Sequence, residues 1–191
     1  MLCDKYIMAS SILVGGFNGI LFSYYSESPY IFIELFKLDP SHYGMLGIFM
    51  ATGVCFGSFI SHRINHKVST YQLIKVSCYS NLAVMMLFSV SVILQIINDQ
   101  SIFSIILIMI FMMLYYISFG IGIPNILSKA LVNYQDNIGA ASSIFGLIYY
   151  CWVSIFIFGI GLFPANSLYI MPLYFLVIST FMVGSIKYLT P

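Results

Sequence analysis

The chain has 191 residues, 61% of them hydrophobic and 7% charged, with a mean hydropathy of +1.00 and a formal net charge of +1. Soluble domains are about a quarter charged, so this composition excludes one and marks an integral membrane protein whose first partner is the lipid bilayer. The near-neutral charge gives no nucleic-acid footprint, and no run of Lys or Arg marks a strong lipid-headgroup patch.

Six apolar runs are predicted to cross the bilayer, at 5–36, 41–60, 70–97, 101–126, 138–163 and 168–188. At about 20 residues per crossing they use the whole chain, which predicts an all-α membrane protein with one six-helix transmembrane domain over residues 1–191. The runs are apolar all round and lack the alternation of barrel strands, so each is expected to be a helix that satisfies its own backbone in lipid. The N-terminus lacks a short apolar core with a small-residue cleavage site, and the first run is expected to remain as an uncleaved helix.

The first run is long for one crossing. Pro29 removes a helical hydrogen bond late in it, so the segment after Ser28 is expected to tilt or break. Ser11, Gly15, Asn18, Phe22 and Tyr25 fall along one helical stripe. Asn18, near mid-membrane, reads either as cavity-lining polar group or as partner in an interhelical hydrogen bond. Glu27 is ionisable within an apolar run, the pattern of a proton or substrate site. Its position, roughly 30 Å along from Lys5, equally fits a solvated carboxylate at the outer interface. Glu34 lies further out and reads as a surface charge.

Asp39 and Pro40 have the order of an N-cap followed by proline at the first helical position. Gly15 with Gly19, and Gly53 with Gly57, each form GxxxG, the spacing of close helix packing or of sliding contacts in a transporter. His62 and His66 flank Arg63 and Lys67 in a predicted loop, without the cysteine or acid that would complete a zinc site. Asn98, Asp99 and Gln100 form a polar turn, and Pro124 lies late in the fourth run. Asp136 and Asn137 are placed to cap the fifth helix, and Pro164, Ala165, Asn166 and Ser167 make the last turn.

Tyr115, Tyr116, Tyr149, Tyr150 and Trp152 can supply an aromatic wall for an apolar ligand, or fill the core and belt the interfaces. The cysteines, Cys3, Cys55, Cys78 and Cys151, have no paired spacing and read as packing residues. Ser58 has no histidine in a later run to activate it, and no glycine loop for phosphate is present. No catalytic residue, metal site or cofactor is therefore expected, and the chain does not read as an enzyme.

With a cytoplasmic N-terminus, Lys5, Arg63, Lys67, Lys75, Lys129 and Lys187 fall inside and only Lys37 outside, six of the seven basic residues. Both termini are then cytoplasmic, which requires an even number of crossings. Division into two three-helix units aligns Tyr24, Tyr25 and Pro29 of the first run with Tyr115, Tyr116 and Pro124 of the fourth, as an inverted repeat would.

Residues 24–65 read YYSESPYIFIELFKLDPSHYGMLGIFMATGVCFGSFISHRIN. This stretch resembles the seventh and eighth helices of bicyclomycin/chloramphenicol-resistance (Bcr/CflA) drug:proton antiporters of the major facilitator superfamily. The resemblance rests on Ser28 and Pro29, the turn at 38–41, Tyr43 with Gly44, and Gly53, Gly57 and Ser58. A second segment matches at Pro124 and Asn125, followed by Gly139, Ala140, Ala141, Ser142 and Ser143. Ile33, Met50 and Phe59 stand where many relatives carry amides, so part of the polar lining is lost.

The resemblance implies the C-terminal six-helix half of a proton-coupled multidrug efflux transporter in a bacterial inner membrane. Its first, second, fourth and fifth helices would line a central cavity, with the third and sixth outside. Phe22, Tyr25, Tyr115, Tyr116, Tyr149 and Trp152 are the expected contacts for a small apolar drug-like substrate, and Glu27 the proton-coupling candidate. Transport would require a separately encoded N-terminal half or a second copy. The rival expectation is a non-transporting remnant, or an interaction protein that self-associates through its GxxxG faces.

Overall fold

In a computed structural model of the chain, described over residues 4–97, 101–163 and 168–189, the apolar runs are helices, six of them long and apolar enough to cross a membrane. Among the described residues there is no strand. We label the helices α1 (Lys5–Pro29), α2 (Pro40–Ile64), α3 (Thr70–Ile93), α4 (Ile102–Ala130), α5 (Ile138–Gly161) and α6 (Ile170–Ser185). Cys3 and the predicted turns at 98–100 and 164–167 lie outside the described residues.

Local chemistry sets the helix ends. Asp39 accepts the Ser41 N–H at 2.8 Å with Pro40 in the first turn, as its order in the sequence predicts. Ser69 and Gln72 form a reciprocal capping box at the start of α3. Asn137 makes no side-chain cap; a 3-10 turn over Val132–Asn137 leads into α5 instead.

Pro29 does not break the first helix. The chain continues through a π-helical turn over Tyr30–Leu35, and the Phe36 N–H reaches back five residues to the Ile31 carbonyl at 3.0 Å. The helix therefore widens after the proline without ending there. The third run turns early: α3 stops at Ile93 and Gln95 takes a φ of 57°. The fourth passes through Pro124 and ends at Ala130.

The packing is a row with two helices behind it. α2 lies along α4, α4 meets α1, and α1 lies along α5; α3 packs behind against α4 and α6, and α6 against α3 and α1. Small residues permit the closest approaches. A Cβ at Gly15 would lie 2.5 Å from the Trp152 Cβ, and one at Gly19 would meet the Phe156 ring. Gly53 fits against Tyr116 and Met113, and Gly57 against the Ile117 backbone. Both GxxxG faces are thus buried within the bundle, which removes them as surfaces for self-association.

Polar side chains tie the rear helices together. Asn81 donates to Ser179 at 3.1 Å and Ser89 to the Pro172 carbonyl at 3.1 Å, joining α3 to α6. Ser80 and Ser118 share a hydrogen bond of 2.8 Å between α3 and α4. In lipid such groups have no water to return to, so pairing between helices holds them.

Candidate functional site

The tyrosine pairs of α1, α4 and α5 are arranged around the middle of the row. Neighbours in a helix point about 100° apart, so a pair divides between the core and an outer face. Tyr24 is buried while Tyr25 is 48% exposed. Tyr149 is half-buried and Tyr150 is 55% exposed, their rings 4.4 Å apart. Tyr115 and Tyr116 are both enclosed, with rings 5.3 Å apart.

Tyr115 is a packing residue: its hydroxyl donates to the Phe17 carbonyl and its ring lies against Phe17 and Phe119. It has no exposed surface to offer a ligand. Tyr116 lies just beneath the face, with its hydroxyl buried beside Tyr24 and Tyr25 and without a hydrogen bond among the described residues. A buried hydroxyl of this kind is costly, and a small movement of Tyr25 would give it a partner or open it to one.

Phe22 and Tyr25 are exposed on one side of α1, with Asn18 a turn below and partly exposed. Ser11 and Gly15, predicted on the same stripe, are buried, because α5 covers that part of the helix. The Asn18 amide donates within its own helix to the Val14 carbonyl at 2.9 Å, not to another helix. Trp152 turns away: its ring contacts are Phe156 and Phe181, with centroids at 6.1 and 5.6 Å, in the wedge toward α6.

Glu27 is partly exposed and has neither a hydrogen bond nor an ion pair among the described residues. His62 and His66 lie with ring centroids 6.3 Å apart at the end of α2. Among the described residues no group of three His, Cys, Asp or Glu side chains comes together to hold a metal.

The ends of the row carry a feature that the individual motifs did not reveal. On α2, Gly44, Gly47, Ala51 and Cys55 are exposed along one stripe, beside the large exposed side chains of Ile48, Phe56 and Phe59. On α5, Ser143, Leu147, Tyr150, Ser154, Phe158 and Gly161 form an exposed stripe in which small or polar residues alternate with large ones, and Ile155 lies beside it. Large apolar groups suit lipid, whereas small and polar ones suit another helix or a water-filled space. The helical spacing was present in the sequence, but nothing local distinguished these stripes from the buried glycine faces.

No family model matches this chain. It is 31% identical, over 97% of its length, to a protein of Rickettsia bellii called an uncharacterized transporter, of which the match covers 47%. A Rickettsia felis protein of the same description is 32% identical over 77% of the chain and is covered for 37% of its own length. The chain thus spans half or less of the relatives it matches. These relatives are named for transport, and their names carry neither a drug class nor a coupling ion. With six apolar helices, the chain is an integral membrane protein.

Proposed function

We propose that the chain is one six-helix half of a membrane transporter, working against a second half of similar size. The carrying observation is that exchanging α1 with α4, α2 with α5 and α3 with α6 maps the main helix contacts onto one another, the minor α5–α6 contact excepted. The α1–α5 contact exchanges with α4–α2, α3–α4 exchanges with α6–α1, and α1–α4 and α3–α6 exchange with themselves. That is the pattern of two three-helix units in an inverted repeat, an architecture of secondary transporters whose substrate sites lie between moving bundles. Relatives about twice as long and named as transporters support the same reading.

In this reading the uncovered stripes of α2 and α5 seat the second half, separately encoded or a second copy, and the face between them lines the cavity. Phe22, Tyr25, Tyr116 and Tyr149 contact a small apolar drug-like molecule, with Asn18 as the polar lining. Tyr115 and Trp152 support that wall from behind. Glu27 is the proton-coupling candidate, and export in exchange for protons is the proposed reaction, as in the drug:proton antiporters that the sequence resembles. The basic ends face the cytoplasm of a bacterial inner membrane, by the positive-inside rule.

The test is coexpression of the chain with the part of the Rickettsia bellii relative that it does not match, in cells stripped of their own efflux pumps. Association of the two halves on purification and lowered accumulation of a fluorescent apolar cation such as ethidium are expected. Absence of both association and any change in accumulation overturns the reading. Glu27→Gln is expected to flatten the pH dependence of export; an unchanged profile removes Glu27 from the proton path.

A further inference from the structure

Three lysines far apart in sequence converge at the end of the bundle where α1 begins and α4 and α6 end. Lys5, Lys129 and Lys187 line one cavity of about 790 Å³, together with Asp4, Tyr71 and Asn133. Asp4 is already engaged by protein donors: its carboxylate accepts the Tyr6 N–H at 2.9 Å and the Tyr134 hydroxyl at 3.0 Å. The Tyr71 hydroxyl is buried without a hydrogen-bond partner among the described residues. Among the described residues three ammonium groups and one carboxylate line this cavity, so it carries an excess of positive charge that, with the unsatisfied hydroxyl, suits an anion with several acceptor oxygens.

A second hollow shares Lys5, Lys187 and Tyr188 with the first. It is a groove of about 790 Å³ between α1 and α6, running past Met8, Ile12, Val177, Phe181 and Gly184. From Lys5 to Ile12 along α1 it descends about 10 Å, and from Lys187 back to Val177 about 15 Å, the depth of one leaflet's hydrocarbon. A soluble anion would use the cavity alone and leave the groove unexplained. An anionic head joined to an apolar tail uses both.

We infer that this end of the bundle binds an anionic phospholipid, its phosphate among Lys5, Lys129 and Lys187 and an acyl chain in the α1–α6 groove. The site is separate from the tyrosine-lined face and stands whether or not the chain transports. No local run of basic residues announced it, because each lysine comes from a different helix end.

The test is native mass spectrometry of the full chain purified from membranes, with any partner half that copurifies, mixed with phosphatidylglycerol or phosphatidylcholine. Preferential retention of phosphatidylglycerol is expected. Each ammonium near an anionic headgroup is worth about fivefold, so joint substitution K5Q, K129Q and K187Q should lower retention on the order of a hundredfold. Lys67→Gln, which lines neither hollow, should leave it unchanged. Gly184→Leu fills the groove, since a Cβ there meets nothing within 4 Å, and should weaken retention with every lysine in place. Equal retention of the two lipids, or no loss in the triple variant, overturns the inference. Displacement by inorganic phosphate together with an unaffected Gly184→Leu variant overturns it in favour of a soluble anion.

Discussion

The Ser58 hydroxyl donates to the Gly120 carbonyl at 3.3 Å, the acceptor four residues before Pro124 that loses its helical N–H to the proline ring. A serine on α2 therefore completes the backbone of α4, and the late proline does not end the helix. Asn125 adds a second tie just beyond, donating to Ser61 and to the Ile121 carbonyl at 2.7 Å each.

Ser58→Ala should cost about 1 to 2 kcal/mol, because it leaves a carbonyl unsatisfied where no water replaces the donor. Pro124→Ala restores an N–H for Gly120, so Ser58→Ala should cost much less in that background. Thermal unfolding in detergent of the four proteins in this double-mutant cycle measures the coupling. Additive effects would show that Ser58 does not compensate for the N–H that Pro124 lacks.

Backbone contact between α2 and α4 makes Gly57 intolerant of any side chain. A Cβ there would overlap the Ile117 carbonyl, and a main-chain atom cannot move aside as a side chain can. Gly57→Ala is expected to destabilise by about 1 to 3 kcal/mol. Gly146→Ala, whose Cβ would lie 3.9 Å from the Tyr149 ring, should be neutral or stabilising by up to about 1 kcal/mol. Paired melting curves distinguish the two glycines.

The cap on α2 should depend on pH. The Ser41 backbone and side chain hold the Asp39 carboxyl below its ordinary value of 3.8. A depressed folded value means that the cap's contribution is present above 3.8 and is lost as pH falls through the lower folded value. Hydrogen exchange at residues 41–44 should therefore accelerate only in strongly acidic solution. Asp39→Asn should abolish that acid step while retaining the cap.

Tyr25 and Tyr115 should separate function from folding. Tyr25→Ala removes a 48% exposed ring and is expected to change stability by less than about 0.5 kcal/mol while, under the proposed function, altering substrate selection. Tyr115→Phe removes the hydrogen bond to Phe17 and should lower stability by about 1 kcal/mol without changing substrate selection in the proposed transporter. Melting temperature and export of several dyes, measured on both variants, read the two effects. The opposite assignment would move the ligand-contacting surface into the core.

Six membrane-crossing helices, their approximate limits and the Asp39–Pro40 cap were determined by the sequence alone, because hydrocarbon demands about 20 apolar residues whatever the neighbours are. Which side of each helix faces inward was not, since these helices are apolar all round and carry no polar face to orient them. Only the tertiary structure assigned the glycines of α1 to α5 and those of α2 to α4, enclosed Tyr115 while leaving Tyr25 open, and turned Trp152 toward α6. It likewise matched Ser58 to the carbonyl freed by Pro124 and gathered Lys5, Lys129 and Lys187 into one cavity. Those relationships join helices from distant parts of the chain, so they depend on how the helices pack and not on the local order of residues.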